Sequence, residues 1–151
     1  FAGGKRMRPY LIYLAYKLYG GAQDTDILRF TMSGELIHMM ALIHDDIIDK
    51  GELRHNKLCF QVFAKDLYPT TANKEHLGIS QAILAGDLVF ARAYDVLYST
   101  YNFPAANLLA GQRHMQEMIE EVVAGQMIDV DTMSGDHMDV EKLDTKNYYK
   151  S

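Results

Sequence analysis

The stretch LIHDDIIDKGELRH, residues 42–55, decides the fold, because it sets three carboxylates within an apolar run of helical character. If residues 24–49 form one helix, Asp45 and Asp49 lie on one face, one turn apart, and Asp46 points about 100° away around the axis. Like charges at this spacing repel by roughly a few tenths of a kcal/mol. A divalent cation relieves that repulsion, and oxygen-only ligands favour Mg²⁺. The alternative is a solvated acidic helix end.

A histidine and an arginine flank the carboxylates, one on each side. His38 precedes Asp45 by seven residues and lies nearly in line with it, about 10 Å along the helix axis. Arg54 follows Asp49 beyond a predicted turn at Lys50–Gly51. Carboxylates followed by a guanidinium suit a diphosphate that is held through Mg²⁺ on one side and by arginine on the other. For His38 the alternative is a hydrogen-bonded core residue.

The first nine residues, FAGGKRMRP, place a glycine pair before three cations, Lys5, Arg6 and Arg8. Pro9 is predicted to be the first residue of a helix. Glycines beside cations near a helix start favour phosphate binding. The alternative is a frayed and solvated terminus.

Apolar residues at helical spacing predict an all-α protein with a single domain over residues 1–151. Residues 50–73 lack this periodicity and are predicted to be a long loop, and no strand is predicted. Residues 134–135, Ser-Gly, are predicted to end the last complete helix. The predicted helices are 10–19, 24–49, 75–100 and 105–130, with a further helix starting at 140–150.

Composition excludes several classes of protein. The net charge of −5 and the scattered lysines and arginines argue against a nucleic-acid-binding surface. Cys59 is the single cysteine, so an internal disulfide is impossible, and a reducing, cytoplasmic location is predicted. No apolar run is long enough to span a membrane, and no signal peptide is recognised.

The chain resembles the trans-isoprenyl diphosphate synthases in the order and spacing of four motifs. They are GGKRMRP at 3–9, HDDIID at 44–49 with Arg54 after it, LAGDLVFARAYDVL at 84–97 and GQMID at 125–129. The resemblance implies an antiparallel helical bundle around a central apolar cavity, usually a homodimer. The family's Lys-Thr pair and second aspartate-rich motif are not among these residues. The resemblance therefore implies an incomplete active site that could be inactive alone.

In that family the reaction joins isopentenyl diphosphate to an allylic diphosphate, with Mg²⁺ as cofactor. The implied allylic substrates are dimethylallyl, geranyl and farnesyl diphosphate, and the product is a longer trans-polyprenyl diphosphate. The diphosphates require several cations, and the carbocation formed on the way requires a dry cavity.

Residue by residue, the resemblance assigns a metal-binding and an isopentenyl-binding set. Asp45 and Asp49 are the implied Mg²⁺ ligands, with Asp46 in support, and Arg54 is the implied contact of the allylic diphosphate. The implied isopentenyl diphosphate site consists of Gly4, Lys5, Arg8, His38 and His55. The family usually has a second arginine where this chain has His55, which is a weaker and pH-dependent cation.

The resemblance also points to residues that limit product length. In the family, bulky side chains four and five positions before the first aspartate close the cavity. Here those positions hold Ala41 and Met40, neither of which is aromatic. The prediction is a geranylgeranyl or longer product.

Three other functions fit parts of the sequence. A non-catalytic subunit of a heteromeric synthase fits His55 and the missing second motif. A class I terpene cyclase shares the aspartate motif but does not normally carry GGKRxRP. A helical interaction protein with a solvated acidic cluster is the third alternative.

Overall fold

The computed structural model describes residues 5–22, 24–100 and 102–133, with the Asp24 side chain left aside, and confirms the all-α class. The chain packs into two compact units, residues 1–104 and 105–151. The single domain predicted from the sequence stays a prediction. Gly4, the predicted helix end at 134–135 and the predicted helix at 140–150 lie outside the described residues. The first unit contains α1 (Met7–Leu18), α2 (Asp24–Ile48), β1 (Leu53–Arg54), β2 (Lys57–Leu58), α3 (Phe60–Lys65) and α4 (Lys74–Tyr98), and the second contains α5 (Ala105–Met133).

Helix α1 packs antiparallel on α2. Arg8 near its start contacts His38, and Ile12 one turn later packs over Gly34. The helix begins at Met7, two residues before the predicted first residue Pro9, which is therefore its third residue. Proline is tolerated there because the first-turn N–H groups have no partner within the helix.

Helix α4 also runs antiparallel to α2. A buried carboxylate near the start of α2 connects it to the residues that follow α4. Asp26 is fully buried; it accepts hydrogen bonds from Asn102 N at 2.6 Å and from Arg29 Nη1 at 3.2 Å. Arg29 Nη1 also donates to the carbonyl of Ser99 at 3.1 Å. At the other end of α2, His44 lies against Gly86 of α4. This pairing brings the acidic stretch of α2 beside the LAGD motif.

The long loop predicted for residues 50–73 is wrong. A hairpin forms first, with Leu53 paired to Leu58 and Arg54 to Lys57, and α3 follows it. The two turn residues, His55 and Asn56, have φ of 51° and 60°, as a two-residue hairpin turn requires. Strands of two residues and a helix of six are too short to produce a recognisable periodicity.

Glycine allows α3 and α4 to touch through their backbones. A Cβ on Gly78 would lie 2.4 Å from the carbonyl oxygen of Gln61 and 2.9 Å from Cβ of Lys65. The obstructing oxygen belongs to a helix backbone, so it cannot move without shifting α3. Gly78 therefore sets the depth at which α3 sits on α4.

Large apolar side chains remain exposed on both α1 and α4 in this structure. The central apolar cavity that the resemblance implies stays a prediction. The exposed apolar side chains include Tyr10, Leu11, Leu14 and Leu18 on α1, and Ile79, Ile83, Leu84, Leu88 and Tyr98 on α4.

Within the part of the chain that the structure describes, none of the helices has the length and apolarity needed to cross a membrane.

We expect Gly78→Ala to lower the free energy of unfolding by about 1–3 kcal/mol, because the added methyl group overpacks the α3–α4 contact. Gly125→Ala in α5 is the matched control, since an added Cβ there meets no atom of the described residues within 4 Å. The control should gain up to about 1 kcal/mol from helix propensity. Urea denaturation of both variants measures the difference, and an equal response of the two would contradict the backbone contact.

Candidate active site

Helix α2 ends in a Schellman motif that turns the chain toward the hairpin. Gly51 N donates to Asp46 O at 2.8 Å and Lys50 N to Ile47 O at 3.2 Å, the bonding pattern of that motif. The left-handed residue is Lys50, with φ of 54°, and not Gly51. The predicted turn at Lys50–Gly51 is present, but its strained position is taken by a lysine.

Arg54 joins two of the three predicted carboxylates. Its Nε and Nη2 lie 2.7 and 2.6 Å from Asp46 Oδ1, and Nη2 lies 3.0 Å from Asp45 Oδ2. These bonds, first among them the hydrogen bond to Asp46, raise the pKa of Arg54, so it remains a cation. Asp46 is buried, and a buried carboxylate needs such a partner. The hairpin therefore places Arg54 beside the acidic end of α2.

The metal ligands implied for Mg²⁺ keep the predicted spacing. Asp49 N donates to Asp45 O at 2.8 Å, so the two residues stay one helical turn apart although α2 ends at Ile48. Asp49 is exposed, and the Asp45 side chain is 33% exposed. Within the described ranges no three His, Cys, Asp or Glu side chains form a group that could hold a metal by themselves. Two accessible carboxylates fit Mg²⁺, which commonly takes one or two and completes its shell with water and phosphate.

The cationic side of the site lies two turns back along α2. Arg8 Nη1 is 2.9 Å from His38 Nε2. Burial lowers the pKa of His38, and the positive charges of Arg8 and Arg54 lower it further against the opposing effect of Glu35. A neutral His38 accepts the hydrogen bond from Arg8. Arg8 and Arg54 thus both lower the pKa of His38, so the charge on this histidine depends on both ends of the predicted diphosphate region.

Two residues near this site carry contacts that the sequence analysis missed. Glu35 forms an ion pair with Arg6, and its position three residues before His38, on the same helix face, is the signal that could have indicated it. Gln61 of α3 donates to backbone carbonyls at the end of α2, and no local pattern marks it.

The remaining predicted site residues are placed as follows. Lys5 is exposed and directly precedes α1. His55 is exposed at the tip of the hairpin turn, where its backbone conformation serves the turn. Met40 and Ala41 are half-buried in α2. The roles assigned to these residues stay predictions.

The LAGD motif contacts the acidic stretch through His44. Its Nε2 lies 3.4 Å from Ile83 O and 3.7 Å from Asp87 Oδ1. A Cβ on Gly86 would lie 2.2 Å from the same nitrogen, so the imidazole occupies the space that this glycine leaves. The motifs at 44–49 and 84–97, separate in sequence, therefore meet in the fold.

A sequence model described as polyprenyl synthetase matches residues 1–151, the whole chain. The chain belongs to this family. The four motifs on which the resemblance was based lie within the matched residues, and the resemblance predicted from them is confirmed.

Among similar curated proteins, a chloroplastic geranylgeranyl pyrophosphate synthase of Capsicum annuum is 32% identical over 99% of the chain and 38% of its own length. A geranylgeranyl diphosphate synthase of Methanosarcina mazei is 31% identical over 86% of the chain and 36% of its own length. A short chain isoprenyl diphosphate synthase of Methanocaldococcus jannaschii is 33% identical over 87% and 35%. The chain thus spans little more than a third of the length of these relatives.

We expect the Cys59 thiol to resist alkylation in the folded protein. Burial, and then a hydrogen bond to Asp46, raise its pKa from 9.0 to about 11. At pH 9 the smaller thiolate fraction alone slows reaction with iodoacetamide by about 50-fold relative to an ordinary thiol. The same protein in urea is the control, and equal rates in both states would contradict this prediction.

The same shift should make stability fall as the pH rises from 9 to about 11. In that window the unfolded thiol loses its proton while the folded one keeps it, so the folded state binds more protons. Comparison of urea denaturation with Cys59→Ala over this pH range isolates the contribution of the thiol.

Proposed function

We propose that this chain carries the first half of the active site of a prenyltransferase that joins isopentenyl diphosphate to an allylic diphosphate. The observation that supports this most directly is the arrangement on α2. Asp45 and Asp49 lie at its end with Arg54 beside them, and the Arg8–His38 pair lies two turns back. A reaction of two diphosphates needs two anion sites, and Mg²⁺ on carboxylate ligands is a common way to hold one of the diphosphates.

At the acidic end, Asp45 and Asp49 would hold Mg²⁺, which supplies positive charge to the departing diphosphate. Arg54 compensates the negative charge of Asp46 through the contacts of its Nε and Nη2 with Asp46 Oδ1. Its Nη1 forms no hydrogen bond to the described residues and would donate to a phosphate oxygen. Because Arg54 also contacts Asp45, it places cationic charge next to the metal-binding face.

At the other end, Arg8 would bind isopentenyl diphosphate, with His38 fixing the direction of its guanidinium. The allylic C–O bond breaks and its electron pair leaves with the diphosphate. The isopentenyl double bond then forms the new C–C bond, and the resulting cation loses a proton to give the new double bond. Lys5, Gly4 and His55 are the further residues proposed for the isopentenyl site.

For the product we propose geranylgeranyl diphosphate or a longer chain. Two relatives quoted above are named geranylgeranyl synthases. Met40 and Ala41 carry no aromatic ring that would stop growth early. We further propose a homodimer, as the resemblance implies.

The activity is tested by transfer of labelled isopentenyl diphosphate to farnesyl diphosphate with Mg²⁺, using the whole protein that contains this chain. We expect extractable labelled product, and a loss of at least about 10²-fold in kcat/KM for Asp45→Asn and for Asp49→Asn, because each removes a metal ligand. Asp95→Asn is the control, since that exposed carboxylate on α4 pairs only with Arg92 among the described residues.

Other outcomes of this experiment identify the alternatives. Hydrocarbon release from geranylgeranyl diphosphate without isopentenyl diphosphate would indicate a terpene cyclase. Product that forms only after mixing with a competent synthase would indicate a non-catalytic subunit. If the two substrates with Mg²⁺ give no product, and Mg²⁺ with inorganic diphosphate does not raise thermal stability, the prenyltransferase proposal is wrong, because a ligand of the native state must stabilise it.

We expect Met40→Phe to shorten the product by one or more isoprene units, because the ring would close the cavity above the position that Met40 occupies. Met39→Phe is the control, since that residue points about 100° away on the same helix. Chromatography of the dephosphorylated products measures chain length. An unchanged length in Met40→Phe, or equal shortening in the control, would contradict the role of Met40.

A further inference from the structure

Gln61 connects three segments at the acidic end of α2. Its Nε2 donates to Asp46 O at 2.8 Å and to Gly51 O at 2.7 Å. These two carbonyls lie at the start and the end of the turn that carries the chain from the aspartates to the hairpin. One side-chain amide nitrogen of α3 therefore connects the two ends of the turn.

The orientation of this amide is decided by its partners. Both partners are carbonyl oxygens, which accept hydrogen bonds and cannot donate them. With the amide reversed, Oε1 would face two acceptors. In the observed orientation Oε1 is buried and accepts no hydrogen bond from the described residues. The observed orientation therefore keeps both donors on the turn.

Gln61 is itself held in place through α3. The carbonyl of Gln61 lies so close to Gly78 that no side chain fits between them. The contact with Gly78 of α4 therefore fixes the position of Gln61, and Gln61 in turn holds the turn after α2. The turn needs this support because Lys50 occupies its left-handed position, which residues with a side chain rarely adopt.

We infer that Gln61 is a positioning residue for the metal-binding end of α2, which holds Asp45 and Asp49 in register with Arg54. This inference rests on the proposed function. Gln61 is assigned no contact with substrate or metal; it acts through the backbone of Asp46 and Gly51. Without its two donors the turn can open, and the distance between the carboxylates and the guanidinium is no longer set.

The test uses Gln61→Met, which keeps the length of the side chain and removes both donors, in the whole protein that contains this chain. We expect the Mg²⁺ concentration for half-maximal turnover to rise by at least about tenfold, in line with the effect of losing a group that orients metal ligands.

Two control variants separate positioning from general destabilisation. Asp26→Asn weakens the buried clamp at the opposite end of α2 and should lower the thermal midpoint without changing the Mg²⁺ response. Gln81→Met removes a single exposed glutamine bond to Tyr68 and should change neither. An unchanged Mg²⁺ response in Gln61→Met, or an equal change in Asp26→Asn, overturns the inference.

Hydrogen exchange keeps the inference testable if the protein shows no turnover. We expect the amides of residues 49–54, including Gly51 N, to exchange at least about tenfold faster in Gln61→Met than in the unaltered protein or in Asp26→Asn. Unchanged exchange there overturns the role of Gln61, whether or not the protein is a prenyltransferase. Faster exchange in a protein without turnover supports the role of Gln61 in the turn and overturns the proposed function alone.

Discussion

A buried carboxylate at the end of a helix is the constraint on which the rest of this structure depends. The Asp46 side chain is buried, and Arg54 is the cation that pairs with it. Arg54 reaches it only because the chain reverses directly after α2 and forms a two-residue hairpin. The turn and the hairpin together bring Arg54 within hydrogen-bond distance of Asp46. The more accessible Asp45 and Asp49 remain available for a metal ion, because Asp46 takes most of the arginine's hydrogen bonds.

Helix α2 is joined to other segments of the chain by hydrogen bonds at both of its ends. At its start, buried Asp26 accepts bonds from Arg29 and from the backbone of Asn102. At its far end, the backbone carbonyl of Asp46 accepts a bond from Gln61. A helix fixed in this way keeps the distance between His38 and the acidic end constant. That constancy is what a reaction between two bound diphosphates requires, since small displacements of reacting groups lower rates strongly.

Much of this architecture could be predicted from local sequence. The four long helices show clear apolar periodicity, and their observed ends differ from the predicted ones by at most three residues. The one-turn spacing of Asp45 and Asp49 follows from helix geometry alone. The hairpin and α3 could not be predicted, because elements of two and six residues carry too few positions for a pattern. Both elements depend on partners that are distant in sequence. Arg54 of the hairpin forms an ion pair with Asp46 of α2, and α3 packs on Gly78 of α4.

The sequence by itself determined the all-α class, the family and the residue types of the site, because these depend on composition, periodicity and motif spacing. Tertiary structure alone decided which of those residues touch. It paired Arg54 with Asp45 and Asp46, assigned Arg6 to Glu35 and Arg8 to His38, and put the left-handed backbone at Lys50. It also brought Gln61, which no motif marks, to the end of α2. The reason is physical: a side chain's partners across helices are set by packing depth and crossing direction, which have no local signature in the chain.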